Sequence, residues 1–122
     1  MTVQVKLFSY SKCGSCKKAI KWLQSNNIKY ELINIAENQP SREIIIEGIK
    51  QMGNKKKLFN TSGKSYRAIG AEAVKLMTEE ESIDALINDF KLIKRPFLIH
   101  PNGNIIVGFK IDIYEKTFIN LI

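Results

Sequence analysis

The 122-residue sequence contains one histidine, two cysteines, three prolines and no long apolar run. A membrane helix needs about 20 mostly apolar residues, and no stretch approaches that length, so no membrane partner is expected. Residues 1 to 10 alternate like a strand and lack a basic stretch followed by an apolar one, so no secretory signal is read and the cytoplasm is the expected compartment. His100 and two cysteines fall short of the four N or S ligands of a closed zinc site, which would need carboxylates or a second chain. No metal and no bound cofactor are expected. Two cysteines three positions apart make a poor framework disulfide in a reducing compartment, which leaves redox chemistry as the better reading.

The sequence is otherwise that of a soluble globular protein, with 44% hydrophobic and 25% charged residues. Its length suits one domain able to bury a core without staples. The formal charge of +7 is concentrated at Lys17-Lys18-Lys21, Lys55-Lys56-Lys57 and Lys91-Lys94-Arg95. These clusters lack the interleaved aromatics that stack on bases. No helix gathers the Arg, Asn and Gln residues that read base edges, so they are taken as a solvated basic face and direct DNA reading is not expected.

Periodicity sets the expected elements. Val3, Val5, Leu7 and Phe8 predict a strand over about residues 3 to 8, followed by a tight turn at Ser9 to Lys12. Cys16, Ala19, Ile20 and Leu23 mark one face of a helix that starts at Cys13 and stops at Asn26-Asn27. Ile28 to Ile33 reads as a second strand, parallel to the first because a helix joins them. Pro40 suits a first helical turn, ahead of a stripe of Ile45, Ile46, Ile49 and Met52 that ends at Gly53. The turn residues Asn60-Thr61-Ser62-Gly63 precede a short helical piece over about Tyr66 to Leu76. Thr78 and Glu81 form a capping box before Ile83, Leu86, Ile87 and Phe90. Pro96 to His100 and Asn104 to Val107 should pair as a hairpin across Pro101-Asn102-Gly103. Ile111, Tyr114, Phe118 and Leu121 then give a closing helix behind Asp112 or Lys110.

The chemistry centres on Cys13-Gly14-Ser15-Cys16. At a helix start, unpaired backbone N–H groups and the positive end of the helix dipole favour a thiolate, and Lys12 and Lys17 add positive charge, so a depressed Cys13 pKa is expected. Cys16 lies one turn deeper on the apolar stripe and should keep its proton more readily. Cys13 is therefore the expected nucleophile and Cys16 the resolving thiol. The bland alternative, two core cysteines behaving as small hydrophobes, suits Cys16 but not Cys13 in its polar turn. Arg95-Pro96 is the second feature. A proline opening a strand can hold a cis peptide, and Arg95 either points its guanidinium at the cysteine turn or is an ordinary exposed arginine, a choice that spacing leaves open.

Four motifs in order carry a family likeness: Tyr10-Ser-Lys-Cys13-Gly-Ser-Cys16 with Lys17-Lys18-Ala19, Lys57-Leu-Phe-Asn60-Thr-Ser-Gly63, Lys94-Arg95-Pro96-Phe97, and Val107-Gly108-Phe109-Lys110. The chain resembles the arsenate-reductase-like branch of the thioredoxin superfamily, which includes glutaredoxin-coupled arsenate reductases and the Spx transcriptional regulators. The resemblance implies an α/β thioredoxin-like fold, β-α-β then β-β-α around a mixed sheet. It would form one domain over residues 1–122 with an all-helical insert at about 40–90. It also implies a reactive Cys13 and a cis proline at Pro96 after Arg95.

Arsenate reductases of this type place three arginines around the oxyanion. Here only Arg95 matches, and the other two positions fall at Asn60 and Gly108. That removes most of the charge-assisted bonds an arsenate would need, and Lys56, Lys57 or Arg67 would be the available substitutes. The regulators use the cysteine pair as a redox switch and bind the C-terminal domain of the RNA polymerase α-subunit; the chain shares the pair, Arg95-Pro96 and Gly53 with them. The resemblance thus implies a thiol-disulfide redox protein whose co-substrate is glutathione, glutaredoxin or thioredoxin. A redox-sensing regulator is the alternative, and arsenate reduction is third.

Overall fold

A computed structural model describes residues 4–119. The chain divides into two compact units, one made of the residues up to Asn34 together with those from Arg95 onward, the other of Ile35–Lys94.

The first unit is built on a four-stranded mixed sheet. Its elements are β1 (Val5–Ser9), α1 (Gly14–Ser25), β2 (Tyr30–Asn34), β3 (Phe97–Ile99), β4 (Ile105–Val107) and α6 (Ile111–Thr117). The strand order is β2-β1-β3-β4, with β1 parallel to β2 and antiparallel to β3, and β3 antiparallel to β4. Because successive strand side chains point to opposite faces, Val5 and Leu7 share one face of β1. There they meet Leu98, Ile106, Ala19 and Leu23 of α1, Tyr114 of α6 and Phe118 just after it in one buried cluster. Phe8 points the other way and meets Phe97 edge-on at 5.9 Å.

The strand expected over residues 3 to 8 runs from Val5 to Ser9, and Val3 and Leu121 lie outside the described residues. The second strand begins two residues later than expected and is an edge strand that leaves Leu32 55% exposed. Its apolar residues therefore make less of the core than their periodicity suggests. The hairpin forms as expected across the 101–103 turn, where Gly103 N–H donates to His100 O at 2.8 Å. In α6 only Tyr114 is buried, and Phe118 just beyond it is buried too, whereas Ile111 is 54% exposed. Ile111 is the first residue after the Lys110 N-cap and projects beyond the packed part of the helix. The closing stripe is therefore shorter than the sequence suggests.

The second unit is helical: α2 (Arg42–Met52), α3 (Lys64–Ile69), α4 (Ala71–Leu76) and α5 (Glu79–Asn88), with 3₁₀ turns at Lys55–Leu58 and Phe90–Leu92. Pro40 does not enter α2. Ser41 is the N-cap, its Oγ accepting from Ile44 N–H at 3.2 Å, so the helix starts at Arg42 and the proline precedes it. Ile45 and Ile49 are buried, but Ile46 is exposed, because a helix buries one stripe and adjacent residues sit 100° apart around it. Gly53 ends α2 in the left-handed region, at φ 74°.

The piece expected from Tyr66 to Leu76 is two helices. Gly70, at φ 94°, turns the chain between them, a conformation that a side chain would resist. Asn60 lies in a turn where its carbonyl accepts from Gly63 N–H at 3.1 Å. Its own N–H donates to Leu92 O at 2.7 Å, beside the Phe59–Ile93 bridge. Arg42 of α2 pairs with Glu80 and, at 2.8 Å, with Asp84 of α5. Among the described residues no helix is long and apolar enough to cross a membrane.

Both halves of the expected capping box are present on α5: Thr78 Oγ1 accepts from Glu81 N–H at 3.1 Å, and Glu81 Oε1 accepts from Thr78 N–H at 2.8 Å. Thr78→Ala is expected to cost about 1 kcal/mol in urea unfolding and Thr78→Ser only a fraction of that, since serine keeps the hydroxyl.

Candidate thiol redox site

The site grows out of the junction between β1 and α1. β1 ends at Ser9, and a tight turn brings Cys13 N–H onto Tyr10 O at 3.0 Å. Cys13 then has extended backbone angles, φ −104° and ψ 117°, and is the N-cap of α1. The first amides of a helix have no carbonyl partner within it and need a capping acceptor, usually the oxygen of Ser, Thr, Asp or Asn. Here the acceptor is sulfur: Cys16 N–H donates to Cys13 Sγ at 3.2 Å. A thiolate at this position is met by a backbone donor and by the positive end of the helix.

One turn later the helix carries Cys16 into the core, beside Ala19 and Leu23 on the buried face. Cys13 is half-buried and Cys16 only 1% exposed, and both are free thiols. Burial, and next the interaction with Cys13, push the Cys16 thiol from its ordinary 9.0 up to about 11, against opposing hydrogen bonds from the Tyr10 backbone and the Ser9 side chain. Cys16 therefore carries its proton at neutral pH. Tyr114 lies close enough that charge on Cys16 reinforces the effect of burial, and its phenol too is held well above its ordinary range.

The Arg95–Pro96 peptide is cis. Arg95 is half-buried and its guanidinium lies 5.4 Å from the centre of the Tyr10 ring, a cation–π contact at the turn whose carbonyl holds Cys13. Of the two alternatives left open by spacing, the structure thus places Arg95 at the cysteine turn. Pro96 O accepts from Gly108 N–H at 2.9 Å, which ties the proline to the end of β4. Lys12 and Lys17 are both exposed; Lys17 borders a shallow depression with Tyr10, Ser11, Leu32 and Ile33. Asn60, Lys56, Lys57 and Arg67 belong to the second unit.

Sequence reasoning did not single out Tyr10 as a partner for Arg95, nor the aromatic group of Trp22, Phe109 and Tyr114 beside α1. An aromatic directly before a cysteine turn was the available signal for the first. The second has none, because its members are far apart in sequence. Among the described residues no three His, Cys, Asp or Glu side chains cluster as metal ligands would.

A mixed sheet opened by β1-α1-β2, a thiol pair at the start of its first helix and a cis proline before its antiparallel hairpin define a protein of the thioredoxin-like fold. The chain belongs to the ArsC family, whose model matches residues 8–117. It is 38% identical to the uncharacterized protein YusI of Bacillus subtilis strain 168, over 95% of this chain and 99% of that one. It is 29% identical to the global transcriptional regulator Spx of Staphylococcus aureus, over 88% and 82% of the two chains. The crystal structure of an ArsC family related protein from Bacteroides fragilis superimposes with a TM-score of 0.86, at 36% identity, covering 96% of this chain and 99% of that one.

The raised Cys16 pKa has a consequence for stability. A folded-state value above the unfolded one means the fold holds the proton more tightly, so the contribution is complete below about pH 9 and is lost as pH rises through about 11. Tyr114 acts in the same direction. The urea midpoint of the reduced protein is expected to stay level between pH 6 and 8 and to fall above 9, with a shallower fall in Cys16→Ala.

Proposed function

We propose that this chain is a cytoplasmic thiol-disulfide oxidoreductase of the ArsC family, with Cys13 as nucleophile and Cys16 as resolving thiol. The observation that carries this reading is the inequality of the two sulfurs. Cys13 is half-exposed at the helix start and accepts the Cys16 amide, while Cys16 is buried and protonated.

The chemistry follows ordinary thiol exchange. The Cys13 thiolate attacks one sulfur of an external disulfide, a Cys13 mixed disulfide forms, and the other sulfur leaves as a thiolate. Cys16 then gives up its proton and attacks Cys13 Sγ, closing the Cys13–Cys16 disulfide and releasing the second thiolate. Two molecules of glutathione, or the dithiol of glutaredoxin or thioredoxin, return the pair to its reduced form and leave as the corresponding disulfide. Arg95, held over Tyr10, is positioned to steady negative charge at the turn.

Likeness to Spx favours a second reading, a redox-sensing regulator that binds the C-terminal domain of the RNA polymerase α-subunit. A pull-down with that domain, run with the pair oxidised and reduced, tests it; no binding in either state removes it. Arsenate reduction has the least support. Of the three guanidinium positions only Arg95 is filled; Asn60 carries a neutral amide and Gly108 no side chain.

In a mixed-disulfide reduction assay, Cys13→Ser is expected to lower turnover by about 100-fold or more, the loss expected on removing a nucleophile. Cys16→Ser should retain the first attack and accumulate a Cys13 mixed disulfide visible by mass spectrometry. Equal turnover in wild type and Cys13→Ser would sink the reading.

A further inference from the structure

Along one flank of α1 runs an open groove of about 650 Å³, lined chiefly by Ser15, Lys18, Lys21, Trp22, Phe109 and Ile111. Its aromatic wall is backed by the core. Trp22 and Phe109 meet the ring of fully buried Tyr114 edge-on, at 5.4 and 4.7 Å. Two exposed lysines, Lys18 and Lys21, border it. No acidic residue lines it, and neither lysine is in an ion pair among the described residues. Ile111, left 54% exposed by the short packing of α6, adds an apolar side chain that the core of this unit does not use.

Ser15, which stands between Cys13 and Cys16 in the sequence, lines the groove along with Ser25 at the end of α1, while neither cysteine lines it. Ten residues of helix rise about 15 Å, a length covered by four to five residues of extended chain and too long for a tripeptide thiol. Rigid aromatic surface favours apolar side chains, and unpaired lysines at the rim select for negative charge.

We propose that this groove is the docking surface for the polypeptide client of the Cys13 thiol, a segment that carries carboxylates beside apolar residues and lies along α1 while its disulfide meets Cys13. The inference rests on Cys13 being the attacking thiol. Lys18 and Lys21 meet the carboxylates, and Trp22, Phe109 and Ile111 take the apolar side chains. The groove thus confers client selectivity on a reaction whose thiol chemistry is general.

Two seven-residue peptides test it. Both have one cysteine held as a mixed disulfide with thionitrobenzoate and flanking leucines, with glutamates in one and lysines in the other. In Cys16→Ser protein, the Cys13 thiolate attacks the peptide sulfur, a Cys13–peptide disulfide forms and thionitrobenzoate leaves as the coloured anion. At low salt the glutamate peptide is expected to react about tenfold faster than the lysine peptide, with the ratio shrinking as salt is added. The Lys18→Glu/Lys21→Glu pair of substitutions should abolish or invert the ratio. Lys50→Glu/Lys75→Glu, with the same net charge in the second unit, should largely preserve it, and Ile111→Ser should slow the glutamate peptide severalfold.

A small neutral probe, the mixed disulfide of mercaptoethanol and 2-thiopyridine, should react equally with all of these proteins. If it reacts and the two peptides do so at equal rates, or if Lys50→Glu/Lys75→Glu erases the ratio as fully as the groove variant, the docking surface is overturned. If the small probe also fails to react, the assignment of Cys13 as nucleophile falls and the groove falls with it.

Discussion

The hydrogen bond from Cys16 N–H to Cys13 Sγ is the point on which the site depends. The first amides of a helix have no acceptor within it, and in this chain the strand-to-helix turn presents a sulfur to one of them. As the capping residue Cys13 sits at the rim of the fold, half-buried. The 3.6-residue period then sends Cys16 inward from the same turn. Exposure differs between two identical side chains because one precedes the helix and the other is in it, and burial pushes the Cys16 thiol up.

Around this junction the first unit arranges aromatic rings. Tyr114 is fully buried between Trp22, Phe109 and Phe118, with ring centres 4.7 to 6.0 Å away, and its hydroxyl has no hydrogen-bond partner among the described residues. A phenol buried without a partner is costly, and the ring contacts and the apolar area removed from water offset it. The same packing leaves little room for water at Cys16. Its thiol is held protonated by the burial that stabilises the helix against the sheet, so stability and the raised Cys16 pKa have a common origin.

The strands and helices were legible wherever local chemistry decides them. The Thr78 capping box, the turn between Pro101 and Gly103 and the Cys16, Ala19, Leu23 stripe are each contained within a few residues. What periodicity could not tell was which apolar residues remain at the surface. Leu32 alternates like a core residue, yet β2 has a neighbour on one side only; Ile46 and Ile111 continue apolar stripes that their neighbours do not cover. Gly70 splits one expected helix into two because its backbone turns through a positive φ, and a single glycine between Ile69 and Ala71 gives little notice of it.

The sequence alone determined the thiol pair, its position at a helix start and the difference in depth between its two sulfurs, because all three follow from spacing along one continuous segment. It could also name Arg95 and Pro96, but not where the guanidinium would lie. Only the tertiary structure decided that Arg95 rests on Tyr10, that Gly108 holds Pro96, and that Trp22 and Phe109 share a groove with two lysines. The contact of Arg95 with Tyr10 and that of Trp22 with Phe109 join segments more than 80 residues apart, and which of them meet is set by the strand order of the sheet, which no local pattern encodes.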